Sequence, residues 1–285
     1  MSHTRKALIG IALALCAAAA MAPAGADGLR GLRNELAGWL AHPALQGASV
    51  GLEAVSLGSG ETLMSAGAER GFMPASNMKL VTVATALELL GADWQCNVAL
   101  AAPGGDRSLA SVARRILKPS DNELAERLLA YLPVATGRRE LPPEMLAGET
   151  WGERGLVVGG MRWEDGSGLS RRDLLTPEFT VRLLSWMRQQ SRWWPQFRDA
   201  LPVSGVDGTL RERMRGTRAE GRVRAKTGTL TGASALSGYL ESRDGDTIVF
   251  SVMMNDFTCD VRRMRRLQDQ ICIALAEWDG SGGRP

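Results

Sequence analysis

The sequence has little histidine, which narrows the chemistry open to it. Only His3 and His42 occur among the 285 residues, and His3 lies in an N-terminal segment that looks like a leader. A Ser-His-Asp triad needs a histidine beside its serine, and zinc sites commonly use several histidines or cysteines. We therefore expect chemistry that does not depend on imidazole, with no metal and no cofactor.

Lysine is also scarce, although basic residues are not. Of the 34 lysine and arginine residues, only Lys6, Lys79, Lys118 and Lys226 are lysines. Arginine stays charged in proteins, whereas burial or a nearby cation can neutralise a lysine amine. The retained lysines are therefore candidates for work that needs an amine, and accidental retention is the alternative interpretation.

Neither charge nor hydrophobicity is extreme. The formal net charge is +3, and without Arg5 and Lys6 of the leader 32 basic residues face 31 acidic ones. A near-neutral chain gives no reason to expect nucleic-acid binding. Hydrophobic residues make up 45% and charged residues 23%, which is typical of a globular protein and excludes a disordered, collagen-like or polytopic membrane chain.

Residues 1–26 have the pattern of a secretory signal peptide. Arg5 and Lys6 precede an uncharged stretch over 7–20, and small residues follow at Ala22, Ala24 and Ala26. We expect cleavage after Ala26 or Ala24, because the apolar stretch is shorter than the roughly 20 residues that span a bilayer. The mature protein is then expected to be periplasmic or otherwise extracytoplasmic, with no stable membrane span. An uncleaved anchor is the alternative.

Three cysteines remain after the leader, namely Cys96, Cys259 and Cys272. In an oxidising compartment they allow one internal disulfide at most, and Cys259 and Cys272 are nearest in sequence. The sequence leaves their pairing open.

The rest of the chain predicts one α/β domain, residues 27–285, with a helical part inserted in it. Its sheet part covers about 27–75 and 201–285, and its helical part about 76–200. Asp260 and Thr176 are candidate helix caps. Hydrophobic periodicity and turn residues predict helices at 29–40, 76–90, 109–117, 122–132, 177 towards 194 and 261–275, and strands at 49–57, 62–66, 221–229, 235–241 and 247–254.

Ser76 and Lys79 form the first candidate site. They lie three residues apart at the predicted start of a helix, so both side chains emerge on one face. Unpaired N–H groups at a helix start can stabilise an anion, and a neutral lysine can remove the proton that makes serine a poor nucleophile. The alternative is a capping serine followed by a surface lysine.

Ser120-Asp121-Asn122 forms the second candidate site, after the helix break at Pro119. The ordinary interpretation is strong here. Ser120 with Glu123 three residues later has the pattern of a capping box.

Lys226-Thr227-Gly228-Thr229 ends a strand-like stretch and forms the third. A glycine beside an edge strand lets a ligand backbone approach closely, while lysine and threonine can hold a carboxylate. A degenerate phosphate loop is excluded, because Gly221 lies too near Lys226 and Ala225 replaces the required glycine.

The three motifs together resemble the penicillin-recognising serine enzymes, which combine Ser-x-x-Lys, Ser-Asp-Asn and Lys-Thr-Gly. Within that group the chain is most similar to the D-alanyl-D-alanine carboxypeptidase/endopeptidase family, the class C low-molecular-mass penicillin-binding proteins. The likeness spans nearly the whole mature chain. It is carried by Pro74-Ala75-Ser76-Asn77-Met78-Lys79, by Arg115-Ile116-Leu117-Lys118-Pro119-Ser120-Asp121-Asn122, by Asp165-Gly166-Ser167-Gly168-Leu169-Ser170, and by residues 201–239 around the lysine motif.

The resemblance implies a β-lactamase/transpeptidase-like fold, in which helices flank an antiparallel sheet and a helical subdomain is inserted. It implies Ser76 as the acylated nucleophile and Lys79 as its base, neutral through desolvation and the nearby Lys226. Ser120 would relay a proton to the leaving group, and Asn122 would orient Lys79 and the substrate amide.

In the same family pattern, Lys226 and Thr227 would bind the substrate's terminal carboxylate, with Gly228 between them and Thr229. The backbone N–H groups of Ser76 and Thr229 would form the oxyanion hole. Residues 165–170 are expected to be a structural turn beside the site.

The function implied is a serine DD-peptidase that acts on peptidoglycan stem peptides and is acylated by β-lactams. Two alternatives stay open: a serine β-lactamase, disfavoured because 122–165 lacks a Glu-x-x-Leu-Asn element, and a catalytically idle protein that binds cell-wall peptides. The family usually carries extra domains between the first two motifs. Here Ser76 and Ser120 are 44 positions apart, so the insert is expected to be missing at 103–106.

Overall fold

The computed structural model describes residues 25–97, 100 and 105–280. Five strands form one antiparallel sheet in the order β2-β1-β5-β4-β3. Strand β3 is therefore an edge strand, with one row of backbone groups that no other strand of this sheet pairs. The strands are β1 (Ser49–Ser56), β2 (Thr62–Ala66), β3 (Val223–Leu230), β4 (Ala233–Glu241) and β5 (Thr247–Asn255).

Eight α-helices flank the sheet within the described part of the chain. They are α1 (Gly25–Leu40), α2 (Met78–Leu90), α3 (Leu109–Leu117), α4 (Asn122–Ala135), α5 (Pro143–Gly152), α6 (Pro177–Gln189), α7 (Trp194–Ala200) and α8 (Val261–Glu277). Helices α5 and α7 are additions to the sequence prediction, and the helix capped by Thr176 ends at Gln189 instead of continuing towards Trp194. The other predicted helices and strands that lie in the described ranges are confirmed, with small shifts at their ends.

The central strand β5 is buried on both faces, because a layer of helices packs on each side of the sheet. Val249 and Met253 belong to a core that contains the buried sides of α2 to α7. Ile248 and Phe250 point to a second core, shared with α1 and α8. Because side chains alternate along a strand, this β-strand serves two hydrophobic cores at once. The predicted fold class, an antiparallel sheet flanked by helices with a helical insertion, is confirmed.

Other predictions have mixed outcomes. Cys96, Cys259 and Cys272 are all free thiols, and burial raises the pKa of Cys272 in the α8 core. No described helix is both long and apolar enough to cross a membrane. Residues 1–24 of the expected signal peptide and residues 103 and 104 of the expected insertion point lie outside the described residues, and the division into sheet and helical parts stays a prediction.

Candidate active site

Ser76 lies where the chain enters the helical layer. It is the middle residue of a 3-10 turn, Ala75–Asn77, that leads directly into α2. Lys79 follows in the first turn of α2 and is fully buried. The alternative of a surface lysine is therefore wrong. This spacing places an amine and a hydroxyl side by side beneath the sheet edge.

The Lys79 amine has three partners. Its Nζ atom lies 2.9 Å from Ser76 Oγ, 2.7 Å from Asn122 Oδ1 and 2.6 Å from the Ser167 carbonyl oxygen. The last two oxygens can only accept hydrogen bonds. A neutral amine satisfies them with its two N–H groups, and its lone pair then faces the Ser76 hydroxyl. This is the arrangement a base needs.

Burial lowers the pKa of Lys79 to about 8, while the negative charges of Asp165, Glu126 and Asp121 oppose that shift. The sequence interpretation gave Lys226 a share in neutralising Lys79. In the structure, the Lys79 cation is instead a cause, after burial, of the low pKa of Lys226. Desolvation is thus the main reason why Lys79 can lose its proton near neutral pH.

Ser120 has an unusual backbone conformation, and its hydroxyl takes no part in capping α4. Its φ is +67°, a conformation that non-glycine residues seldom adopt. The capping-box interpretation is wrong, because Asp121 caps α4 by accepting a hydrogen bond from Leu124 N at 2.9 Å. Ser120 Oγ instead accepts a hydrogen bond from Lys226 Nζ at 2.8 Å. The strained residue therefore joins the second motif to the third.

Lys226 is fully buried on β3. Besides Ser120, its Nζ atom contacts the Thr227 carbonyl oxygen at 2.9 Å. Burial and the charge of Lys79 hold the pKa of Lys226 well below its ordinary value. A carboxylate bound beside Lys226 would favour its charged form, since an opposite charge nearby stabilises the cation.

The direction of the β3 backbone follows from one hydrogen bond. Ala225 N donates to Pro202 O, so this N–H points away from β4. Because backbone groups alternate along a strand, the N–H groups of Thr227 and Thr229 also point away from β4, on the open side of the edge strand. They are free to bind a substrate backbone or an oxyanion.

Gly228 is a point of close backbone approach within the fold. A Cβ atom at this position would lie 2.6 Å from Pro74 O and 3.2 Å from Ser76 N. The backbone that approaches Gly228 is therefore the protein's own, on the turn that carries the candidate nucleophile. Glycine lets β3 and Ser76 come close enough to share one site.

The turn at 165–170 contributes more than support. The Asp165 carboxylate accepts hydrogen bonds from the N–H groups of Ser167, Gly168 and Ser170. Gly168 has φ +82°, and a Cβ there would lie 1.8 Å from Ala75 O, so the turn packs directly on the 3-10 turn. The result is that the Ser167 carbonyl reaches Lys79.

Sequence analysis missed three groups at this site. The Ser167 carbonyl and Glu126 lie around Lys79, and Thr209 Oγ1 accepts a hydrogen bond from Thr227 Oγ1 at 2.8 Å. Glu126 could have been found, because it follows Asn122 by four residues and shares its helix face. Nothing near Thr209 in the sequence marks it. Across the described ranges, His, Cys, Asp and Glu form no group of three or more that could hold a metal.

Comparison with known protein families identifies the family of this chain. The model of the D-Ala-D-Ala carboxypeptidase 3 (S13) family matches residues 32–111 and 107–277. The chain belongs to this family. The family match confirms the resemblance drawn from the motifs.

Two curated relatives illustrate the extent of the likeness. A D-alanyl-D-alanine carboxypeptidase of an Actinomadura species is 36% identical over 196 residues, which are 66% of this chain and 36% of the relative. A D-alanyl-D-alanine carboxypeptidase DacB of Haemophilus influenzae is 26% identical over 159 residues, 53% of this chain and 33% of the relative. The chain of this S13 family member spans about a third of the length of these relatives.

Solved structures show the same fold. Penicillin binding protein 4 from Haemophilus influenzae, in complex with a β-lactam, has a TM-score of 0.72 at 14% identity, covering 83% of this chain and 98% of that one. The TLA-3 extended-spectrum β-lactamase has a TM-score of 0.67 at 15% identity, covering 87% and 98%. At these identities the likeness establishes fold and leaves activity to the site itself.

Proposed function

We propose that this S13 family member is a serine-type D-Ala-D-Ala carboxypeptidase/endopeptidase that acts on peptidoglycan stem peptides. The observation that carries the proposal is the set of three Lys79 contacts, which leaves a neutral amine's lone pair facing Ser76 Oγ at 2.9 Å. A serine hydroxyl with a poised base is the requirement for acyl-enzyme chemistry.

In acylation, Lys79 Nζ takes the Ser76 hydroxyl proton as Oγ attacks the carbonyl carbon of the penultimate D-Ala. The N–H groups of Ser76 and Thr229 hold the oxyanion. The C–N bond to the terminal residue then breaks, and Ser120 Oγ, which lies 2.8 Å from Lys226 Nζ, passes a proton to the departing amine. Asn122 orients Lys79 and the substrate amide.

The terminal carboxylate of the substrate belongs beside Lys226 and Thr227. Lys226 supplies charge, the Thr227 hydroxyl lies on the same edge, and Gly228 brings this edge against the nucleophile. Water then attacks the Ser76 ester, which releases the shortened peptide and restores the free hydroxyl.

We also propose that β-lactams acylate the same serine and that the resulting penicilloyl ester is hydrolysed slowly. Three carboxylates, those of Asp165, Glu126 and Asp121, influence the Lys79 charge, and each accepts hydrogen bonds from backbone N–H groups. None of the three has a described contact with Ser76, where a carboxylate would have to lie to direct water at a penicilloyl ester. This favours a peptidase over a β-lactamase.

The test combines a peptide substrate with benzylpenicillin. A short acyl-D-Ala-D-Ala peptide should be turned over, whereas penicillin should be consumed in a burst equal to the enzyme concentration, with the adduct mapped to Ser76 by mass spectrometry. Sustained penicillin hydrolysis without peptide hydrolysis would instead identify a β-lactamase. If neither compound reacted and Ser76 stayed unlabelled, the protein would be a binding protein without turnover.

The site of action belongs to the same proposal. The leader at 1–26 would export the chain to the periplasm or another extracytoplasmic space, where peptidoglycan peptides are found. Amino-terminal sequencing of the exported protein, with a new terminus after Ala24 or Ala26, tests this step.

A further inference from the structure

Glu126 stands beside the proposed machinery without a role in it. It lies on α4, four residues after Asn122, so the two side chains share one helix face. The Glu126 carboxylate accepts two backbone hydrogen bonds, from Ser167 N to Oε1 at 2.8 Å and from Gly166 N to Oε2 at 3.1 Å. One side chain thus holds two consecutive peptide groups of the 165–170 turn.

The turn cannot shift far from α4. A Cβ atom at Gly166 would lie 2.8 Å from Ala125 O and 2.9 Å from Leu129 Cβ, so the glycine backbone rests directly on the helix. On its other side, Gly168 packs against Ala75. The turn is therefore fixed between the helix that carries Asn122 and the 3-10 turn that carries Ser76.

Ser167 links the Glu126 contact to the proposed base. Its N–H donates to Glu126, and its carbonyl accepts from Lys79 Nζ at 2.6 Å. Helix α4 accordingly holds the amine in two ways, directly through Asn122 and indirectly through Glu126 and Ser167.

We propose that Glu126 is a positioning residue for Lys79, which fixes the Ser167 carbonyl so that the lysine lone pair faces the Ser76 hydroxyl. This inference rests on the proposed serine-lysine mechanism. Glu126 touches neither Lys79 nor substrate in this account, and its effect is transmitted by one peptide group.

Glu126 also acts through its charge. Its carboxylate raises the pKa of Lys79, as do those of Asp165 and Asp121, against the lowering caused by burial. Lys226 faces the amine from β3. Behind the turn, burial raises the pKa of Asp173 to about 8, with a further contribution from Asp165. The Glu126 carboxylate thus acts on Lys79 in two separable ways: it positions the Ser167 carbonyl, and its charge raises the pKa of Lys79.

Two substitutions separate them. Glu126→Gln removes the charge and replaces one accepting oxygen with an amide that cannot accept the second N–H. Glu126→Asp keeps the charge but withdraws the carboxylate by one methylene. Glu123→Gln is the matched control, because Glu123 lies on the same helix, is paired with Arg127, and has a side chain that is 75% exposed.

The measurement is the rate constant for acylation of Ser76 by a fluorescent penicillin, followed by stopped flow. The pH runs from about 6 to about 10, because a general base with a pKa of about 8 gains its neutral form over this range. Circular dichroism and thermal melting show which variants are folded. Misplacement of a catalytic group by an ångström can cost a factor of about 100. We expect a 10- to 100-fold lower plateau in both Glu126 variants, on the order set by that effect.

The pH profile distinguishes positioning from general damage. Loss of a negative charge lowers the pKa of Lys79, so the acid limb of Glu126→Gln should move to lower pH, whereas that of Glu126→Asp should stay in place. Glu123→Gln should match the wild type in both respects. The inference is refuted if a folded Glu126→Gln variant has the wild-type plateau rate constant and the wild-type acid limb. It is also refuted if the plateau rate constant falls equally in both Glu126 variants and neither acid limb moves. Failure of the wild type itself to be acylated would refute the proposed function instead.

Discussion

The two buried lysines at this site have the same side chain and very different surroundings. Lys79 sits between α2, α4 and the 165–170 turn, where the charges of three carboxylates oppose the effect of burial. Lys226 sits on β3, where its pKa is set by burial and by the charge of Lys79, and its polar contacts are a hydroxyl and a backbone carbonyl.

The difference explains how one site can use a lysine twice. Carboxylates near Lys79 keep its pKa within reach of neutral pH, so the amine can both lose and regain a proton. Burial and the charge of Lys79 lower the pKa of Lys226, and no carboxylate is among the causes of that shift. A substrate carboxylate is therefore the natural partner for its charge. Position in the fold, rather than residue type, distinguishes the proposed base from the proposed anchor.

Replacement of the proposed base, Lys79, should cause the largest loss of activity. Lys79→Arg keeps a cation but cannot supply a neutral amine. General-base catalysis contributes about 10²- to 10⁴-fold, so acylation of Ser76 by penicillin should fall by that order. Labelling with a fluorescent penicillin measures the loss, and circular dichroism checks the fold. A folded variant with near wild-type labelling would show that Lys79 is not the base.

Removal of the proposed anchor should produce a smaller and substrate-dependent effect. A charge-assisted contact contributes about 1.5 to 3 kcal/mol, so Lys226→Ala should lower kcat/KM for D-Ala-terminated peptides by about one to two decades. The loss should be much smaller for an analogue with an amidated C-terminus. Equal losses on both substrates would mean that Lys226 acts elsewhere in the reaction.

The hydroxyl pair at the edge of β3 should contribute least. Thr209→Val removes the acceptor for the Thr227 hydroxyl while keeping a β-branched side chain. A neutral hydrogen bond contributes about 0.5 to 1.5 kcal/mol, so kcat/KM for the free-carboxylate peptide should fall by roughly 2- to 10-fold. Penicillin acylation should respond to the same extent if Thr227 binds the carboxylate of both compounds. An unchanged kcat/KM for the peptide would show that Thr209 does not help to position Thr227.

Much of the fold was accessible from local patterns. The range predicted for α3 coincides with that of the helix, and Thr176 caps α6 by accepting from Phe179 N, because periodicity and caps are local signals. Helix α5 was missed because its apolar residues show little one-sided arrangement, and Gly148 and Gly152 lie within it.

How much of the site could be predicted from the sequence differs from residue to residue. Ser76 and Lys79 are near neighbours in sequence, so their pairing follows from helix geometry. The link between Ser120 and Lys226 spans 106 residues, and no spacing rule reaches that far. The alternative that Ser120 caps a helix could not be dismissed from the sequence, because the sequence does not show that its backbone turns to φ +67° and leaves Asp121 to cap the helix.

The sequence by itself determined the chemical groups: serine with lysine in place of histidine, three motifs in a set order, and the family pattern that unites them. Only the tertiary structure decided what surrounds each group. Burial, which depends on the packing of distant segments, set the pKa of each lysine, and close approach of separate backbones brought Gly228 to Ser76 and Ser167 to Lys79. Desolvation and backbone contact are properties of the folded chain, because both require residues that are far apart in sequence to occupy neighbouring space.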